Sequence, residues 1–316
     1  MSKSTAYAIE VENLTKRYGD LVAVNDISFT VKSGEVFALL GPNGAGKKST
    51  VEFISTIRPP TSGKVTMLGM DVTTHKQDIV RRIGVLPQEF TSFDRITVKE
   101  TLQYYSRLYD CNTTDVDQLI ELVNLADKRN EHYKNLSGGL KQRLGIAISL
   151  VNDPEVVFLD EPTTGLDPRA RHEVWQVIQG LKKKGKTVLL TTHYMEEAEL
   201  LADTVAIISR GKVIAMGSPV DLIHNNARDQ ILTLQSVDGN VVDIVRKIGF
   251  EPVPVSDNTV RIRVMQTEDV QLILSALKDA RAMYRGLDVR KPNLEEVFLK
   301  LTGEALNDGH ADWGQV

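Results

Sequence analysis

Cysteine is almost missing from this chain: Cys111 stands alone among 316 residues. No internal disulfide can form, and a reducing compartment is the simple reading. Long apolar runs are missing too. The longest, such as Val36 to Leu40 and Val205 to Ile208, have strand length and fall far short of a bilayer span. The opening MSKSTAYAIE lacks the apolar core of a secretory signal. The expectation is a soluble chain, so that any membrane role would need a separate spanning subunit. A basic excess is also absent. The net charge is -4, and no nucleic-acid partner is expected. What remains is an ordinary globular composition, 41% hydrophobic and 25% charged.

Along the chain, residues 9 to 36 alternate in polarity. Turns at Tyr18-Gly19-Asp20 and Ser33-Gly34-Glu35 suggest antiparallel strands. Val36 to Leu40 is a short buried strand, and a helix follows to about Ile57, closed by Pro59-Pro60. Further strands flank Thr61-Ser62-Gly63 and Leu68-Gly69. From Val98 to about Leu150 the pattern is mostly helical. Leu102, Tyr105 and Leu108 share one face, and Leu119, Leu122 and Val123 another. Three more buried strands, at Val156 to Leu159, Val188 to Thr192 and Val205 to Ser209, alternate with helices. That order implies a parallel sheet covered on both faces. Asn225-Asn226-Ala227-Arg228 reads as a linker. Residues 229–302 then run strand, helix, strand, strand, helix, strand, helix, as in a small ferredoxin-like α/β domain. Residues 303–316 read as a flexible tail.

Between the strand ending at Leu40 and the helix after it lies Gly41-Pro42-Asn43-Gly44-Ala45-Gly46-Lys47. This fits the first part of the phosphate-loop pattern in the strand–loop–helix context that it needs. Backbone N–H groups curl round phosphates there, the helix N-terminus adds partial positive charge, and Lys47 would reach the outer phosphates. The residue after Lys47 is Lys48, with Ser49 and Thr50 following, where the pattern has a hydroxyl that ligates Mg²⁺. Either Lys48 replaces that hydroxyl, or one residue is inserted and Ser49 does the work. Apolar residues at Val51, Phe53, Ile54 and Ile57 favour replacement. An ammonium facing the ion would be repelled, by about 4 kcal/mol for unit charges ~4 Å apart at an effective dielectric near 20.

Val156-Val157-Phe158-Leu159 delivers Asp160 and Glu161 to a strand end, at the sheet edge where open α/β folds bind ligands. Asp160 is suited to hold Mg²⁺ and Glu161 to polarise an attacking water as general base. Leu136-Ser137-Gly138-Gly139-Leu140 opens a helix and presents N–H groups, a hydroxyl and a helix dipole, a second anion site.

At this segment the sequence resembles the ATP-binding-cassette family, whose signature is LSGGQ-like; Leu140 takes the place of the usual Gln. The resemblance covers about residues 8 to 225. It implies a P-loop NTPase core with an antiparallel β subdomain and an α-helical subdomain at about 90–150, beside the C-terminal α/β domain. It implies ATP with Mg²⁺ as cofactors, and a second copy of the chain paired head to tail so that Ser137, Gly138 and Gly139 face the ATP held by the partner. It implies that Tyr18 stacks on adenine, Gln88 touches Mg²⁺ and links to the transporter, Asp167 pairs across the dimer, and His193 meets the γ-phosphate. Ser49, Asp160 and Gln88 form the implied metal set. The expected function is an ATPase that powers an integral-membrane permease, as an exporter, from the cytoplasmic face of the membrane. The alternative is a nucleotide-binding regulatory cassette whose hydrolysis is weakened by Lys48. More weakly, Lys291-Pro292-Asn293-Leu294-Glu295-Glu296-Val297-Phe298 is similar to the tail of ATPase subunits from drug-export and type-2 transporters of this family.

Overall fold

The computed structural model describes residues 7–111, 114–227, 230–235, 237, 240–256 and 258–303. They form two units, and the chain passes from one to the other between Pro219 and Val220. In order, the first unit contains β1 (Tyr7–Tyr18), β2 (Leu21–Lys32), β3 (Val36–Leu40), α1 (Lys47–Ile54), β4 (Ser62–Met67), β5 (Met70–Asp71), α2 (Lys76–Val80), β6 (Ile83–Leu86), α3 (Val98–Leu108), α4 (Val116–Leu122), α5 (Gly138–Ser149), β7 (Val156–Asp160), α6 (Pro168–Lys183), β8 (Thr187–Thr192), α7 (Met195–Leu201), β9 (Thr204–Ser209) and β10 (Lys212–Gly217).

Two sheets organise this unit. The alternating segments β1 and β2 pair antiparallel and continue through β4 to β5. Their apolar faces are buried at Val11, Leu14, Ile27, Phe29 and Val31, as alternation demands of a sheet packed on one side. The second sheet has the order β10-β9-β3-β8-β7-β6. Five of its members, β9 to the far edge strand β6, run parallel, and β10 pairs antiparallel with β9 at the opposite edge. Every residue of β3, β7 and β8 is buried, which is why those strands read as continuous apolar runs rather than alternating ones. Phe29 of β2 stacks on Phe37 of β3 with ring centroids 5.1 Å apart, within a core shared by both sheets. Because these five strands are parallel, Leu40, Leu86, Asp160 and Thr192 end at one edge of the sheet.

The structure corrects several sequence expectations. Helix α1 stops at Ile54 rather than near Ile57. Thr56 adopts a left-handed φ of 64°. The N–H of Ile57 bonds Glu52 O, and that of Thr56 bonds Phe53 O. This is a Schellman stop, built here without the customary glycine. Ser62 and Gly63 lie within β4 rather than in a turn before it. On α3 Leu102 is fully buried, but Leu108 at the helix end is exposed. On α4 the buried positions are Ile120 and, just beyond it, Val123, with Leu119 and Leu122 only half-buried. The Asn225-Asn226 stretch is no linker. It closes α8 (Pro219–Asn226), where the Asn226 side-chain amide donates to Leu222 O. Arg228 lies outside the described residues, as does the tail beyond Gly303.

After α8, the second unit runs β11 (Gln230–Gln235), α9 (Val241–Lys247), β12 (Pro252–Ser256), β13 (Thr259–Val264), α10 (Thr267–Asp279), β14 (Gly286–Arg290) and α11 (Leu294–Thr302). Its sheet is antiparallel with the order β12-β13-β11-β14. That is the ferredoxin-like arrangement. Leu232, Leu234, Val260, Ile262 and Val264 pack with Val241, Val245, Ile273 and Leu277 of α9 and α10. Pro252 and Pro254 sit on the edge strand β12, where a missing N–H breaks no inner ladder. Among the described residues no helix is long and apolar enough to cross a membrane.

Candidate nucleotide-binding and catalytic site

The loop from Gly41 to Gly46 leaves β3 and enters α1 at Lys47. Gly46 has φ of 104°, and a Cβ there would lie 2.4 Å from Ala23 O. Only glycine meets both conditions, so the tight entry to the helix dictates this residue. The loop is pinned by Gly41 N bonding Thr192 O, Ala45 N bonding Pro42 O, and Gly211 N bonding Ala45 O. Asn43 and Gly44 are exposed at its crest. The first helical bond runs from Thr50 N to Gly46 O at 2.9 Å. No bulge separates Lys47 from Thr50, so Lys48 takes the place directly after the loop lysine. Lys48 is exposed, Ser49 half-buried and Thr50 buried. The Thr50 hydroxyl donates back to Gly46 O at 2.9 Å.

Lys47 is 5% exposed. Its Nζ donates to Gly41 O at 2.6 Å and Pro42 O at 3.2 Å, and lies 3.3 Å from Glu161 Oε1. The other oxygen of Glu161 accepts from Gln88 Nε2 at 3.0 Å and Thr164 Oγ1 at 3.1 Å, and lies 3.4 Å from His193 Nδ1. Four elements of the chain therefore converge on one carboxylate at the sheet edge. His193 and Lys47 favour its ionised form. Burial opposes them, and the balance lowers the Glu161 pKa to about 2. The His193 contact is long and poorly aligned, which makes Lys47 the firmer anchor. Glu161 itself has φ of 48°, a left-handed conformation rare for a side chain of this size and frequent at functional sites.

Asp160 is 7% exposed. Burial raises its pKa, while the Thr191 hydroxyl, donating to Oδ1 at 2.6 Å, and the charges of Lys48 and Lys47 pull it back. Thr191 also accepts from Glu161 N through its Oγ1 at 3.0 Å. One buried threonine thus fixes both acids. Behind the site, Glu197 of α7 is fully buried. Its Oε1 accepts from Thr163 Oγ1 at 2.8 Å and Trp175 Nε1 at 3.0 Å, tying the turn after Glu161 to α6 and α7. Sequence reasoning passed over Thr191, Thr164 and Glu197. Only the first left a signal, as a polar pair with Thr192 closing an otherwise apolar strand.

Other sequence-predicted residues stand apart from this cluster. No hydrogen bond or ion pair among the described residues joins it to Tyr18, Ser137, Gly138, Gly139 or Asp167. Tyr18 is exposed at the end of β1, with Lys16 Nζ 5.2 Å from its ring centre. Ser137 caps α5, its hydroxyl accepting from Leu140 N at 3.4 Å. Gly139 passes so close to α6 that a Cβ would lie 2.6 Å from the Ala170 Cβ. Asp167 caps α6 by accepting from Arg169 N and Ala170 N.

Comparison with known proteins agrees with this geometry. Residues 24–164 match the family model described as ABC transporter. The chain is 41% identical over 306 residues to the Nod factor export ATP-binding protein I of Rhizobium meliloti (strain 1021), covering 95% of this chain and 90% of the relative. It is 38% identical to the protein of that name from Burkholderia orbicola (strain AU 1054), covering 95% and 98%. The fold matches a solved ATP-binding subunit of an ABC transporter, with TM-score 0.60 and 27% identity over 69% of this chain and 92% of that one. It also matches CbiO1 of Clostridium perfringens, part of an ABC transporter complex, with TM-score 0.62 and 28% identity over 69% and 91%. These relatives favour a motor subunit over a regulatory cassette. With the phosphate loop, the buried acids and the strand-end histidine in place, the chain belongs to the ABC transporter family as an ATP-binding subunit with ATPase activity.

Proposed function

We propose that this chain powers export through a separate membrane-spanning subunit, and that its catalytic centre is the cluster around Glu161. The carrying observation is the convergence of Lys47, Gln88, Thr164 and His193 on that single buried carboxylate. In this reading residues 8–225 are the ATPase domain and 229–302 an accessory domain, and the passage between the two compact units at Pro219 and Val220 would move that boundary to the start of α8. Gly41 to Thr50 cradle the phosphates of ATP, and Tyr18 stacks on its adenine. Lys47 leaves its backbone carbonyls for the outer phosphates, since a phosphate is a stronger acceptor than a peptide oxygen. Glu161 accepts a hydrogen bond from the attacking water and draws off its proton. His193 and Gln88 hold that water and the γ-phosphate in line.

Magnesium is read as the companion of ATP. Among the described residues no cluster of three His, Cys, Asp or Glu side chains could hold a metal by itself. Asp160 and Gln88 suit an ion that phosphate oxygens also ligate. Such an ion neutralises charge on the transferred group. A second copy, packed head to tail, would bring Ser137, Gly138, Gly139 and Asp167 to the same ATP, which fits their separation from the cluster within one chain. Residues between Phe90 and Leu108 would face the membrane subunit at the cytoplasmic side. Phe93 and Tyr104 there are exposed aromatics, a composition suited to an interface core. The relatives named for export support that direction of transport. The test is Glu161→Gln in the complex of the chain with its membrane subunit. ATP turnover is expected to fall by at least about 100-fold, the lower range for a general base, with ATP binding kept. Turnover at the parent rate would refute the assignment.

A further inference from the structure

Resting on that reading of the phosphate loop, we propose that Lys48 takes over part of the charge neutralisation normally left to Mg²⁺, so that this cassette binds free ATP nearly as well as Mg²⁺-ATP. The position is unambiguous. Helix α1 starts at Lys47 and its first hydrogen bond is regular, so Lys48 replaces the metal-binding hydroxyl and no residue is inserted. The hydroxyls that follow do not substitute for it. Thr50 Oγ1 is committed to Gly46 O. Ser49 is one residue further on, about 100° round the helix from the required position.

Charge gives Lys48 its role. Two lysines occupy the first turn of α1, and that turn has no acidic residue. A cation at a helix N-terminus opposes the macrodipole, and Lys47 beside it adds repulsion. Glu161 pairs with Lys47, and the second ammonium stays unfavourable until a further anion arrives, as is usual where a functional site breaks a local rule. Lys47 is held by Gly41 O, Pro42 O and Glu161. Lys48, by contrast, makes no ion pair among the described residues, and its exposed side chain is free to meet a ligand. Free ATP carries more negative charge than its magnesium complex, and two ammonium groups with the helix N-terminus match it.

The test is equilibrium binding of ATP to the full chain by titration calorimetry, once with excess Mg²⁺ and once with EDTA. For the parent chain, removing Mg²⁺ should weaken binding by less than about three-fold. For Lys48→Ser it should weaken binding by at least about ten-fold, a difference well resolved on the affinity scale. Lys48→Ala, lacking both charge and hydroxyl, should bind poorly in both conditions. Equal Mg²⁺ dependence of the parent and Lys48→Ser would overturn the proposal for Lys48. Failure of the parent to bind ATP in either condition would instead overturn the nucleotide reading of the loop.

Discussion

Replacing Thr191 by Val keeps the shape of a fully buried side chain and removes its hydroxyl. That hydroxyl donates to Asp160 Oδ1 at 2.6 Å and accepts from Glu161 N at 3.0 Å. Glu161 N keeps a second partner, the Thr191 carbonyl at 3.2 Å. Asp160, 7% exposed, loses its donor outright. A hydrogen bond to a charged group contributes about 1.5–3 kcal/mol, and stranding a buried acceptor takes the upper part of that range. The β-branched shape is unchanged, so packing and strand propensity offset little. The expected loss is about 2–3 kcal/mol in the first unit.

Urea unfolding followed by tryptophan fluorescence measures it. Trp175 is buried in the first unit, and a Trp313→Phe background leaves it the sole reporter, since the chain has 2 tryptophans. With a slope of about 2–3 kcal/mol per molar, the midpoint should fall by about 1 M. Thr191→Ser keeps the hydroxyl and should recover most of the loss. A Val variant within about 0.5 kcal/mol of the parent, the range of surface changes, would refute the argument. So would a Ser variant as unstable as the Val variant, because the loss would then come from packing.

Two further outcomes follow from the same geometry. Glu161 titrates near 2 when folded and near its ordinary 4.5 when unfolded, so its contribution of about 3 kcal/mol is present above pH ~4.5 and lost as pH falls through ~2. Asp160, whose pKa is raised by burial and in part by the Glu161 charge, works in the opposite direction; acid-unfolding profiles of parent and Glu161→Gln should therefore differ chiefly by the Glu161 slope, with a smaller change from Asp160, and parallel profiles would contradict the ion-pair reading. Gly139→Ala places a methyl 2.6 Å from the Ala170 Cβ and should destabilise by about 1–3 kcal/mol. In an Ala170→Gly background the added cost should drop below about 0.5 kcal/mol, read as a double-mutant cycle in urea, and an undiminished cost would place the strain elsewhere.

Most of the chemistry was legible because it depends on short-range order. Gly46, Lys47, Asp160 and His193 could be placed from the linear sequence, since each ends or begins an element whose apolar run is visible. Parallel strands then bring those ends to one edge without further information. Thr191 and Glu197 were not legible for the converse reason. Their roles come from hydrogen bonds to residues 31 and 34 positions away, and neither pairing leaves a periodic trace. The Schellman stop at Thr56 was hidden because its left-handed residue is not glycine, and the end of α8 reads as linker because it is written in asparagine.

Lys48 is the instructive case between these two kinds. The sequence showed that a hydroxyl was missing but left open an insertion in which Ser49 would do its work. The regular first turn of α1 removes the insertion, and the commitment of Thr50 to Gly46 O removes one substitute donor. What the loop has lost as a metal ligand it has gained as charge, at a helix end whose first turn holds no acid and whose neighbouring Glu161 is already paired with Lys47. Selection for stability alone would favour a hydroxyl or an acid at that position. On the proposal made above, the second lysine there answers to an anion that it meets only when nucleotide is bound.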